Sequence, residues 1–251
     1  MENDLKALER LRTMALQARA ATEASVATLL QYYAQVERLQ GVFPIHPDGV
    51  RVAFTWHDAF RPTKKASEID LVFEKSAVLF NVGAVRSCMA ASADRTAPEG
   101  MKLACQQFQL AAGVFKHLRE KVTPQLKCAL QSEMTPEGLQ MVEHIMLAQA
   151  QACFYEKAVA DRAKSASMKA SVIARLASQV GRTDRRTVFL FVGHSSAMRR
   201  ARSNMIMFWT FHLCVSGRGH VQVGADVRGL AGHGGGGPRQ VLANHAQVST
   251  C

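Results

Sequence analysis

The chain has 251 residues, enough for one large domain or two small ones, and its 48% hydrophobic and 20% charged content is that of an ordinary globular protein. The formal net charge of +11 would suggest nucleic acid as a partner, but Met1–Val180 carries 22 Lys+Arg against 18 Asp+Glu, while Gly181–Cys251 carries 9 Arg against 2 Asp. The excess belongs to the tail, which excludes a basic body built to hold nucleic acid.

Asn3–Leu39 reads as helix with a break near Thr22–Ser25. Leu5, Leu8, Leu11 and Ala15, then Val26, Leu29, Leu30, Tyr33 and Val36, recur at threes and fours, with Lys6, Glu9, Arg10, Arg12 and Glu37 left for water. Gly41 gives a C-cap, and Pro44, Pro47 and Gly49 mark an irregular link. From Val50 to Trp56 the period changes to alternation, which predicts a half-buried strand. The strand has no obvious partner in the sequence, so the expectation is a distant one or an N-terminal one lying before Met1. Asp58–Lys65 reads as a loop.

Glu68–Ala93 is the centre of the pattern. Ser76–Val85 carries no charge and holds Val78, Leu79, Phe80, Val82 and Val85, so this helix must be enclosed by others rather than laid along a surface. Thr96-Ala97-Pro98-Glu99 then predicts a helix start, with Thr96 as N-cap and Glu99 completing a capping box. Its stripe of Met101, Ala104, Phe108, Ala111, Ala112, Phe115, Leu118 and Val122 runs to about Thr123, where Pro124 ends it or bends it into Gln125–Ser132.

Thr135-Pro136-Glu137 opens a further helix reaching about Lys164. Val142, Ile145, Ala148, Ala152, Tyr155 and Val159 make one face; Leu147, Ala150, Phe154 and Lys157, ending at Asp161, make a second. Met168–Val180 repeats the doubling, with Ile173, Ala177 and Val180 on one stripe and Met168, Val172 and Leu176 on another. A core needs one stripe. The surplus predicts a cover or an open groove for a partner helix. Beyond Val180 the basic residues are Arg only, Glu disappears and Gly and His become frequent, so Gly181–Cys251 is expected to be a disordered tail of gene-model or splice-artefact character, outside the fold of residues 1–180.

No chemistry stands out. The six cysteines are scattered without a CxxC, so neither a zinc site nor a disulfide framework is indicated and reduced thiols are expected. The first residues hold no apolar signal-peptide core, and the longest apolar runs of the tail fall short of the ~20 residues that cross a bilayer. His57 beside Asp58 raises acid–base chemistry, yet adjacent loop residues rarely point together, and a surface histidine is the plainer reading. His117 and His144 lack partners at i±4, and GHGGGG at Gly232–Gly237 lacks the Lys-Ser/Thr of a phosphate loop. No cofactor, metal or catalytic residue is expected.

Taken together, FTWHDAF at Phe54–Phe60, FEKSAVLFNVGAV at Phe73–Val85, EGMKLACQQFQLAAGVFKHLRE at Glu99–Glu120 and IMLAQAQACFYEKAV at Ile145–Val159 resemble the BRO domain of the Alix family, as do LLQYYAQV and the Phe43-Pro44 turn. The resemblance covers Leu5–Val180. It implies a mainly α fold, an elongated array of helical hairpins stacked like tetratricopeptide repeats, with a small β element near its start and truncation at both ends. It also implies a non-enzymatic adaptor, cytoplasmic and recruited to endosomes through its partners, that binds the C-terminal amphipathic helix of an ESCRT-III subunit of the charged multivesicular body protein four class in endosomal sorting and membrane scission. The groove positions carried over are Phe154 and Lys157 on one helix and Met168, Val172 and Leu176 on the next. Ordinary core packing is the bland reading of these residues, and a non-functional fragment or the non-catalytic front of a His-domain tyrosine phosphatase are the alternatives for the chain.

Overall fold

In the computed structural model, which describes residues 2–42, 45, 51–60, 63–128, 130, 132–164, 171, 172, 174, 175 and 178, the N-terminal helical run divides in two. Helix α1 (Glu2–Gln17) ends, and α2 (Glu23–Gln40) starts afresh at Thr22, whose hydroxyl accepts the Ser25 N–H. This is the N-cap that an extended threonine supplies. The apolar period placed Val26, Leu29 and Val36 inside, where they are, but missed Tyr32, which is buried, and included Leu30, which is exposed.

Strand β1 (Phe54–His57) pairs antiparallel with β2 (Lys65–Glu68), Phe54 opposite Glu68 and His57 opposite Lys65. The unpartnered strand of the sequence reading is thus half of a hairpin. Its partner, Lys-Ala-Ser-Glu, alternates between exposed and half-buried with no apolar face, so hydropathy gives it no strand signature; it straddles the expected end of the loop at Lys65 and the expected helix start at Glu68, which falls instead at Leu71.

Asp70 caps α3 (Leu71–Ser92), its carboxylate accepting the Val72 N–H at 2.7 Å. Every side chain from Leu71 to Phe80 is buried, and α2, α4 and β1 enclose the helix, as its charge-free run requires. Helix α4 (Pro98–His117) starts where expected but without the expected cap: Asp94 takes both the N–H and the hydroxyl of Thr96, leaving Ala97 at the N-cap with no side-chain bond. The helix then widens into a π turn at Leu118–Val122, where the Thr123 N–H reaches back to the Leu118 carbonyl, and tightens into a 3₁₀ turn at Thr123–Gln125. Pro124 lacks an N–H to continue the α ladder. No helix follows over Leu126–Cys128; a 3₁₀ turn at Ser132–Met134 leads into α5 (Pro136–Lys164), where Thr135 accepts the Gly138 N–H.

Successive helices pack in chain order, α1 on α2, α2 on α3, α3 on α4 and α4 on α5, which is the mainly α hairpin array with a small sheet that the resemblance implied. The α3–α4 seam is close: a Cβ on Gly83 would stand 2.6 Å from the fully buried Phe115 ring, which in turn tilts against Phe80 at 5.2 Å between centroids. Cys105, Cys128 and Cys153 are free thiols, whereas Cys88 is disulfide-bonded, so the expectation of reduced thiols fails at that residue. Among the described residues no helix is long and apolar enough to cross a membrane.

Candidate peptide-binding face and its support

Helix α5 is buried on several faces along its first half, Met141, Ile145 and Ala148 as well as the line that meets α4. Leu139, Val142, Met146, Ala150 and Cys153 are buried along a line of threes and fours against α4, and two ion pairs fasten the flank: Arg119 to Glu143 at 2.9 Å and Arg95 to Glu156 at 3.3 Å. Beside that line Leu147, Phe154, Lys157 and Asp161 are all exposed, with Phe154 showing 49% of its surface. Two adjustments to the sequence reading follow. Ala150 belongs to the buried line, and Val159, assigned to the inner face, is exposed.

Phe154 and Lys157 thus stand about one turn apart on the outward side of α5. Val172 is helical and exposed, while Met168 and Leu176 lie outside the described residues, as does any convergence of the two stripes. Half of an aromatic ring left in water on a helix otherwise well packed is the kind of feature that a partner helix covers.

Apart from this face, the head of α3 holds a polar centre that periodicity did not reveal. Glu74, fully buried on α3, accepts from Arg12 Nε of α1 at 2.9 Å, Tyr32 Oη of α2 at 2.8 Å and Trp56 Nε1 of β1 at 2.6 Å. One carboxylate therefore joins four elements. Burial works against the Arg12 charge, but Glu74 and Tyr32 outweigh it and hold the guanidinium above its ordinary range; burial first, then the Glu74 charge, drives the Tyr32 phenol up, so it serves as a donor. Arg12 also lies over the Phe54 ring, 5.4 Å from its centroid. Next to Glu74, buried Lys75 donates to Glu37 at 2.7 Å and Gln40 at 2.6 Å. Charged residues at the head of an apolar helix read as solvent-facing, and nothing in the spacing marks these two as buried.

Asp58, which sits beside His57, points inward. Its carboxylate accepts from the Phe60 N–H at 2.8 Å and from the N–H and hydroxyl of Ser132. Desolvation raises its pKa, but bonds from Ser132, Glu133 and the backbone prevail and hold it below the usual carboxylate range. Its described bonds commit the Asp58 carboxylate to the Ser132 turn and the Phe60 amide. Among the described residues no group of three or more His, Cys, Asp or Glu is placed to hold a metal ion.

Comparison with known proteins agrees with the fold. A family model described as BRO1-like domain matches residues 1–201. The chain is 39% identical over 179 residues to ALG-2 interacting protein X of Dictyostelium discoideum, covering 71% of this chain and 22% of that protein. It is 40% identical over 153 residues to vacuolar protein-sorting protein BRO1 of Gibberella zeae, covering 61% of this chain and 14% of that protein. The chain therefore spans about a fifth or less of the length of these relatives. A solved structure titled ALIX BRO1 CHMP4C complex superposes with a TM-score of 0.68 at 28% identity, over 84% of this chain and 60% of that one.

Proposed function

The chain belongs to the BRO1-like domain family, and from that premise we propose that it is a non-enzymatic adaptor whose α5 face docks the C-terminal amphipathic helix of an ESCRT-III subunit. The observation that carries the reading is Phe154, a large apolar side chain exposed on a helix whose neighbouring line from Leu139 to Cys153 is buried. The likeness to a BRO1 domain in complex with CHMP4C supports the choice of partner. Phe154, Lys157 and Val172 form the described part of the site, and Met168 and Leu176 complete it. Burial of three or four apolar side chains of the incoming helix contributes roughly 1.5–3 kcal/mol each before ordering costs, which allows micromolar-class affinity and reversible engagement.

Acting so, the protein is cytoplasmic and reaches endosomal membranes through its partners, in line with the vacuolar protein-sorting name of one relative. In domain terms, residues 1–180 form the adaptor body and 181–251 a tail apart from it. Titration of an ESCRT-III C-terminal peptide against the full chain tests the proposal. Phe154→Asp and Val172→Asp are expected to weaken binding at least ten-fold while leaving the melting temperature in place, since both side chains are exposed. Undiminished binding by both variants would put the docking site elsewhere.

A further inference from the structure

The Ser132–Met134 turn at the head of α5 contains a second buried acid, Glu133, 2% exposed, with Oε2 buried and without a hydrogen-bond partner. Across from it is Asp58, 4% exposed, at the end of β1. The two acids come from segments far apart in the chain, and Asp58 already ties the turn to the hairpin through the N–H and hydroxyl of Ser132. Two adjacent carboxylates cannot both ionise in a site closed to water without an unmet cost of desolvation and repulsion.

Among the described residues the surrounding charges do not relieve it. From the hairpin come Asp58 itself and neighbouring His57; Lys64 meets Asp58 through its carbonyl, which accepts the Asp58 N–H at 3.0 Å, while its side chain lies in solvent. From the first turn of α5 comes Glu137, exposed and of the same sign. Desolvation, then the Asp58 charge, pushes the Glu133 carboxyl up to about 8.

We propose that Asp58 and Glu133 share a single proton and form a latch, closed at neutral pH and released in mild alkali, that fastens the head of α5 to the end of the β-hairpin. With Glu133 protonated, its O–H donates to the Asp58 carboxylate. On deprotonation that bond is lost, the backbone N–H groups of Glu133 and Ala59 are left to meet the carboxylate, and like charges face each other in a buried site. The turn keeps its Ser132 bonds to Asp58, but the helix bearing Phe154 is then held less firmly at its head.

Glu133 holds its proton more tightly in the folded chain than at its ordinary 4.5. The native state is therefore the more protonated between that value and about 8, and stability declines as pH rises through this window, then levels. The experiment is thermal unfolding and hydrogen exchange of the full chain from pH 5 to 9.5. The expected result is a falling melting temperature and a selective loss of protection in residues 132–142, up to about ten-fold per pH unit within the window. Glu133→Gln, which copies the protonated acid, is expected to flatten the decline and to exceed the parent in stability at pH 9. Asp58→Asn, which removes the neighbouring charge, is expected to shift the transition to lower pH. An unchanged decline in Glu133→Gln, or a parent profile without one, would overturn the proposal. So would restoration of protection at pH 9 by millimolar calcium or magnesium, which would make the site a metal site.

Discussion

At the scale of single residues, the side chain that most constrains this structure is Glu74. A carboxylate sealed on the central helix costs several kcal/mol in desolvation, and only its three donors from three different elements offset that cost. Replacing it with Gln keeps the volume but turns one oxygen into an NH₂. An amide donor then meets the Trp56 or Arg12 donor, and the buried guanidinium, whose Nη2 already lacks a partner, loses its counter-charge. Glu74→Gln is expected to lower unfolding free energy by about 3–5 kcal/mol in urea titration. In a double-mutant cycle, Arg12→Met in that background is expected to recover part of the loss, since it removes the stranded charge.

At the scale of elements, the two Thr-x-Pro/Pro-Glu starts invite comparison because they read alike in sequence and are built differently. Thr135 caps α5 through the Gly138 N–H, whereas Thr96 donates its hydroxyl and N–H to Asp94 and leaves α4 uncapped by any side chain. Thr135→Ala is therefore expected to cost about 1 kcal/mol, and Thr96→Ala, which touches no helix donor, a few tenths, both measured by chemical denaturation. Helix existence and order were legible because apolar residues recur at threes and fours over long stretches, from Val26–Val36 to Met101–Val122. The cap was not, since a local Asp can outcompete a helix for the same threonine. Nor was β2, whose four residues carry no alternation, or the burial of Glu74, Lys75 and Glu133, because a charged side chain discloses its partners only when distant segments meet. For the docking face, Phe154 was legible as surplus to a single core-facing stripe; Ala150 and Val159 were misassigned, the one buried and the other exposed, because periodicity along a 29-residue helix does not tell where its neighbours begin and stop covering it.

For the whole molecule, chain-order packing has a consequence for how the fold opens. In an array where each helix rests mainly on its chain neighbours, stability is close to a sum of local interfaces, and the terminal helix is expected to fray first. Helix α1 breaks that rule. It packs on α2, but Arg12 reaches past α2 to Glu74 on α3 and lies over Phe54 of β1, so part of what holds α1 is long-range. Native-state hydrogen exchange distinguishes the two kinds of support. In the parent chain α1 is expected to be protected nearly as well as α2. In Arg12→Met, whose shorter apolar side chain keeps much of the packing without the ion pair, protection over residues 7–17 is expected to fall by ten-fold or more while α4 and α5 remain unchanged, because their contacts and the Phe115–Gly83 seam lie on the far side of α3. A uniform loss across all five helices would mean that the array opens as one cooperative unit, and that Glu74 belongs to a global core rather than to a clasp on the first helix.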